Sequence, residues 1–134
     1  MTFGQMFWFY KAQTKCVRGL VAKKYTELYN SSHCSQKDIT SIKIDSIYRR
    51  IKEFRNICAH DERLYCARPH SDNATVFQLI KDFDILLETS YYLEFLEKIE
   101  KLLVALCDKV PNCSKNVIEC IGMSSICLLY TSPS

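Results

Sequence analysis

The sequence is poor in the residues that interrupt helices. Glycine and proline occur three times each in 134 residues, so long helical segments are expected and a fold built on many tight turns is disfavoured. No apolar run approaches the ~20 residues that a bilayer-spanning helix needs, so no membrane partner is expected. The opening residues lack the basic and apolar regions of a secretory signal. Also lacking are G-x-G-x-x-G, P-loop, H-E-x-x-H and G-x-S-x-G patterns and any internal repeat, which disfavours the enzyme classes built on them. A large charge imbalance is absent too: the formal net charge of +3 is too small by itself to mark a nucleic-acid binder.

What is present is globular in composition, with 48% hydrophobic and 25% charged residues, enough for one domain or part of one. Cysteine is plentiful, with eight in the chain. Without a secretory signal these read as reduced thiols of a cytoplasmic protein, mostly serving as small buried apolar groups. The charge is unevenly placed. Between positions 49 and 68, Arg49, Arg50, Lys52, Arg55, Arg63 and Arg68 stand against Glu53, Asp61 and Glu62, so this stretch alone carries a formal excess of +3. Such a patch suits a polyanionic partner, and it equally suits a solvated helix face.

Apolar spacing predicts helices throughout. Residues 3–29 read as helical, with a break near Thr14. Their aromatic opening, Phe7-Trp8-Phe9-Tyr10, is either a surface for stacking nucleobases or, as favoured here, a packing surface for other helices. After the turn at 30–33, Ser35 and Asp38 resemble a capping box that would start a helix near Gln36. Its stripe is Ile44, Ile47, Ile51, Phe54 and Cys58, with an end near His60. A polar loop is expected over 61–73, then helices over 75–89 and 91–109 and a short one over 114–121. Asp82 and Asp84 are expected on a solvated face, and His33 and His70 at the surface.

The stretch most able to do chemistry is Phe54-Arg55-Asn56-Ile57-Cys58-Ala59-His60-Asp61-Glu62-Arg63-Leu64-Tyr65. Arg55 offers a fork of donors that matches phosphate. Histidine is the side chain that exchanges protons near neutrality, so His60 can act as general acid or base. Asn56 and His60 are four apart and share a helix face. Arg55 lies about 140° around the helix from His60 at 3.6 residues per turn, within reach of a long side chain. The same string also reads as an ordinary helix end, with Cys58 and Ala59 buried, Arg55 in a surface ion pair and His60 against the helix terminus. Cys58, His60, Cys66 and His70 are of zinc-ligand type, but one residue between the first two is too few for a usual site, so no metal or cofactor is expected.

Arg55-Asn56 followed after four positions by His60 resembles the R-x4–6-H signature of the HEPN superfamily. The longer string R-N-x-C-A-H followed by R-L-Y resembles the Abi family of phage abortive-infection proteins, of the AbiD/AbiF-like kind. Thr2-Phe3-Gly4 and Ile121-Gly122-Met123 are similar to an early and a late segment of that family. The resemblance implies an all-α, HEPN-like helical bundle of four to five helices, incomplete at its N-terminus, over residues 1–126. It implies a metal-independent endoribonuclease of a phage-defence or toxin-like system, with Arg55, Asn56 and His60 catalytic. Arg63, Arg50 and Lys52 would bind RNA phosphates. The implied partners are RNA, a second copy in a homodimer, and a cognate antitoxin. The alternative is a non-catalytic helical module of the same family that binds RNA or protein.

The tail from Cys127 to Ser134, C-L-L-Y-T-S-P-S, resembles the translation of a transposase-type sequencing adapter. Residues 127–134 are therefore expected to be read-through and to belong to no core.

Overall fold

A computed structural model describes residues 2–60, 63–69 and 73–130, the side chain of Cys127 excepted. Six α-helices lie among the described residues: α1 (Phe3–Lys11), α2 (Lys15–Ser32), α3 (Ser41–Ala59), α4 (Val76–Leu86), α5 (Thr89–Lys109) and α6 (Pro111–Ile121). A 3₁₀ turn over Ile126–Tyr130 follows, and no strand occurs among those residues. The fold is an all-α bundle, with six helices where four to five were expected. The break near Thr14 and a short last helix were both expected; α6 starts at Pro111 rather than at 114, because proline opens a helix at a position where a missing N–H costs nothing.

Threonine sets most of the boundaries. Thr2, Thr14, Thr40 and Thr75 each stand in extended backbone, and each hydroxyl accepts a hydrogen bond from the backbone N–H three residues on. That satisfies one of the orphan donors of the first turn. α3 therefore begins at Ser41 rather than near Gln36. The reason lies in α2. The Asn30 side chain accepts from Lys37 N and donates to Lys37 O (2.8 and 3.0 Å), and Thr26 Oγ1 bonds both N and O of Ile39 (3.0 and 3.1 Å). Those peptide groups are held extended and cannot join a helix. Ile39 is buried between them and α3.

Two apolar clusters fill the bundle. The first joins α1, α2 and α3 through Phe7, Tyr10, Ala22, Tyr29, Ile44, Ile47 and Tyr48, with Ile85 added from α4. Tyr25 and Tyr48 hydroxyls meet at 2.9 Å within it. Burial and then this hydrogen bond raise the Tyr48 phenol above its ordinary range, so Tyr48 stays neutral. The second cluster joins α4, α5, α6 and the 3₁₀ turn through Ile80, Tyr92, Leu96, Leu103, Ile118, Ile121, Met123 and Leu129. Leu129 is fully buried, contrary to the expectation that residues 127–134 join no core. An apolar pair, Leu128-Leu129, packs onto the apolar surface it reaches, whatever its origin. Residues 131–134 of that tail lie outside the described residues.

Polar contacts tie the halves together. Arg50 on α3 grips Asp82 on α4 through Nε (2.7 Å) and Nη2 (2.8 Å), and Gln78 donates to the same carboxylate. His33, at the end of α2, stacks on Tyr29 and bonds Asp84 at 2.8 Å. Asp82 is thus buried rather than solvated, and His33 is held inward rather than free at the surface. The two carboxylates do point to different partners, as expected of residues two apart on a helix. Cysteines depart from expectation. Cys16, Cys34, Cys58, Cys66 and Cys113 are exposed, and Cys107 and Cys120 half-buried, all as free thiols.

Candidate active-site cleft

α3 runs to Ala59, and His60 is its C-cap, with backbone N–H groups closing onto Asn56 O and Cys58 O. The last turn projects past the packing surface of the first cluster. Phe54 is its last buried residue, while Arg55, Asn56, Cys58, Ala59 and His60 are exposed. Cys58, expected on the buried stripe, lies one turn past Phe54 and is exposed. The motif sits where the sequence placed it, at a helix end and open to solvent.

A cleft of about 460 Å³ opens beside this turn, lined by Glu53, Asn56, Ile57 and His60 from α3 and by Arg63, Cys66, Ala67, Arg68 and Pro69 from the following loop. The α3 residues fall at steps of three, one and three, which places them on one helix face. The loop is held from two sides. Arg68 donates to Ala67 O (2.9 Å) and to Cys120 O on α6 (3.0 Å). Leu64 and Tyr65 line a separate apolar groove with residues of α4 and α5. The turn closes with Ala67 N donating to Leu64 O at 3.0 Å.

Of the residues singled out by sequence, Asn56, His60 and Arg63 line the cleft together. Arg55 does not line it. Its Nη1 donates to Asn56 Oδ1 at 3.3 Å, which sets the guanidinium beside a lining residue, at the rim. Arg50 is removed from any phosphate role by its buried, bidentate pairing with Asp82. Lys52 also turns away: its ammonium lies 5.0 and 4.9 Å from the Phe7 and Trp8 ring centroids, a cation–π arrangement on α1. Trp8 and Phe9 are themselves exposed, while Phe7 and Tyr10 are buried. The aromatic opening is therefore half core and half surface.

Glu53, Cys66 and Arg68 line the cleft without having been chosen as site residues. Arg68 was visible as part of the basic stretch. Glu53 was visible as the residue seven before His60, two helical turns along the same face. Among the described residues no three of His, Cys, Asp and Glu gather as a metal site requires. His70, the fourth residue of the zinc-like string, lies outside them. No helix among them is long and apolar enough to cross a membrane.

The family model described as Abi-like protein matches residues 1–66. The match takes in α1, α2, α3, the helix-end motif and the start of the loop, while Ile121-Gly122-Met123 lies outside it. No curated protein and no solved structure matches the chain.

Proposed function

The chain belongs, through residues 1–66, to the Abi-like protein family, and from that premise we propose that it is a metal-independent endoribonuclease of a phage-defence, abortive-infection system. The observation that carries this reading is the cleft itself. An imidazole, an amide and a guanidinium from His60, Asn56 and Arg63 face one solvent-filled space, with Arg55 at its rim. Those groups suit a phosphodiester. Arg63 neutralises charge as it builds on the phosphate oxygens. His60 moves a proton in the attack of the ribose 2′-hydroxyl on the adjacent phosphorus. Asn56 orients the phosphate and holds Arg55. The substrate supplies its own nucleophile, so activation of water by a metal ion is unnecessary. The rim position of Arg55 suits a homodimer in which a second copy faces the motif, and the cytoplasm is where a nuclease of phage defence would meet its RNA.

The test is incubation of purified protein with single-stranded RNA and with DNA of the same sequence, each in excess chelator. Cleavage of the RNA alone, leaving 2′,3′-cyclic phosphate ends, is expected. Cleavage of the DNA would overturn the mechanism. So would loss of RNA cleavage on chelation with recovery on added magnesium or manganese.

One observation favours a second reading. Arg55 does not line the cleft with His60, as it would not need to in a helical module that binds RNA or protein without cutting it. RNA binding that survives both Arg55→Ala and His60→Ala, with no cleavage by the parent, would support that module.

A further inference from the structure

We infer that Glu53 is a second catalytic residue, the base that pairs with His60 as acid, so that one chain holds both proton-transfer groups of the cleavage. The inference rests on the endoribonuclease reading and deepens it. Glu53 and His60 line the same cleft from the same face of α3, with Asn56 and Ile57 between them. Seven residues at 1.5 Å rise separate their Cα atoms by ~10 Å along the helix axis. Two side chains projecting from one helix face at that spacing leave room for one phosphate between them.

That spacing matters because the displacement is in line. The 2′-oxygen attacks phosphorus on the side opposite the departing 5′-oxygen. The group that removes a proton and the group that supplies one must therefore stand on opposite sides of the phosphate. Two groups spaced two helical turns apart along one cleft can do so, and two adjacent groups would not. Among the described residues, the other charged groups that line the cleft are Arg63 and Arg68, cations that suit the phosphate and do not compete for its protons. Arg68 is fixed by two backbone carbonyls, which keeps the loop wall in place.

The step balances as follows. The bond from O2′ to phosphorus forms, and the proton of the 2′-hydroxyl passes to the Glu53 carboxylate. The bond from phosphorus to O5′ breaks, and the proton from the His60 imidazolium passes to O5′. The products are a 2′,3′-cyclic phosphate and a 5′-hydroxyl. Solvent then takes the proton from Glu53 and restores one to His60. No oxidant, metal or co-reactant enters.

The experiment compares the parent protein with Glu53→Gln, Glu53→Asp and His60→Ala on one single-stranded RNA in chelator, with kcat and KM measured across pH. Circular dichroism and thermal melting are run on each variant to show that it folds. Glu53→Gln should lose about 100-fold or more in kcat with KM held, as expected for removing a general base, and its profile should lose the acidic limb that the parent shows. Glu53→Asp should recover part of the rate and restore that limb. If Glu53→Gln folds and cleaves with the parent's rate and pH profile while His60→Ala is inactive, the inference is overturned and the endoribonuclease reading stands. If the parent cleaves nothing, both fall.

Discussion

Arg50 and Asp82 form a two-point ion pair across the α3–α4 interface, Nε to Oδ2 at 2.7 Å and Nη2 to Oδ1 at 2.8 Å, with the Asp82 side chain only 2% exposed. The pair joins the helix that carries the motif to the half of the bundle that carries the other core. Arg50 stands midway along α3, so the pair pins the centre of that helix against α4.

Breaking this pair from one side should be costly. Asp82→Ala removes a carboxylate from beside a buried guanidinium and should destabilise by about 3–5 kcal/mol, read as a lower midpoint in urea unfolding. Replacing both ends together, Arg50→Met with Asp82→Leu, should recover most of that loss, because desolvated charge is then absent from both helices. A loss under ~1 kcal/mol for Asp82→Ala would mean that the pair is solvated in solution.

Gly122 should tolerate no side chain. It ends α6 at φ 107°, in the left-handed region that suits glycine. A Cβ there would lie 2.5 Å from Thr75 Oγ1, the hydroxyl that caps α4 by accepting from Gln78 N. Gly122→Ala should therefore cost about 2 kcal/mol or more, from backbone strain and a disturbed cap together. Gly19 is the control. It lies within α2 with nothing within 4 Å of its added Cβ, and Gly19→Ala should stabilise by ~0.5–1 kcal/mol. Thermal unfolding of the two variants should move in opposite directions.

The start of α3 gives a sharper check on local chemistry. Thr40→Ala should cost about 1 kcal/mol, because its hydroxyl caps Lys43 N, whereas Ser35→Ala, with no helix to cap, should stay within ~0.5 kcal/mol. Equal losses from both would restore a helix start near Gln36.

Apolar periodicity made α3 legible, since Ile44, Ile47 and Phe54 of the stripe selected by steps of three and four are buried, with Tyr48 beside them. It also placed the motif at the end of that helix. It could not reveal Arg50 with Asp82, because two polar faces turned toward each other leave the same sequence pattern as two faces turned toward water. It carried the stripe one turn too far, to Cys58, since periodicity records which residues share a face and not where the neighbouring helix stops. The cleft was half legible. Asn56, His60 and Arg63 follow from one string, but the path of the 63–69 loop depends on an Arg68 contact with α6, 52 residues away. Glu53 looked like one more charge on a mixed face until that loop closed over it.

The exposed motif residues allow a clean separation of activity from folding. Arg55→Ala and His60→Ala remove side chains from the solvent-facing last turn of α3, so each should leave stability within ~0.5 kcal/mol. RNA cleavage by His60→Ala should nonetheless fall by about 100-fold or more. A stability loss large enough to unfold His60→Ala would mean that the residue serves the helix end rather than the chemistry.

Leu129 anchors the C-terminal 3₁₀ turn to the bundle. Its side chain is fully buried in the second cluster, its carbonyl accepts from Lys81 Nζ at 2.7 Å, and the neighbouring Tyr130 hydroxyl donates to Glu100 at 2.6 Å. The apolar contact dominates, because the Tyr130 hydrogen bond lies in water and adds little net stability. Leu129→Ala should cost about 2–5 kcal/mol, the range for emptying a leucine-sized space in a packed core. Tyr130→Phe, which removes only the exposed hydroxyl, should stay within ~0.5 kcal/mol. Truncation after Ile126 should resemble Leu129→Ala and uncover the apolar surface of the second cluster, read as increased binding of a hydrophobic dye. If Leu129→Ala and the truncation both unfold at the parent's midpoint, the 3₁₀ turn does not pack in solution, and the tail is then the passive extension that its sequence suggests.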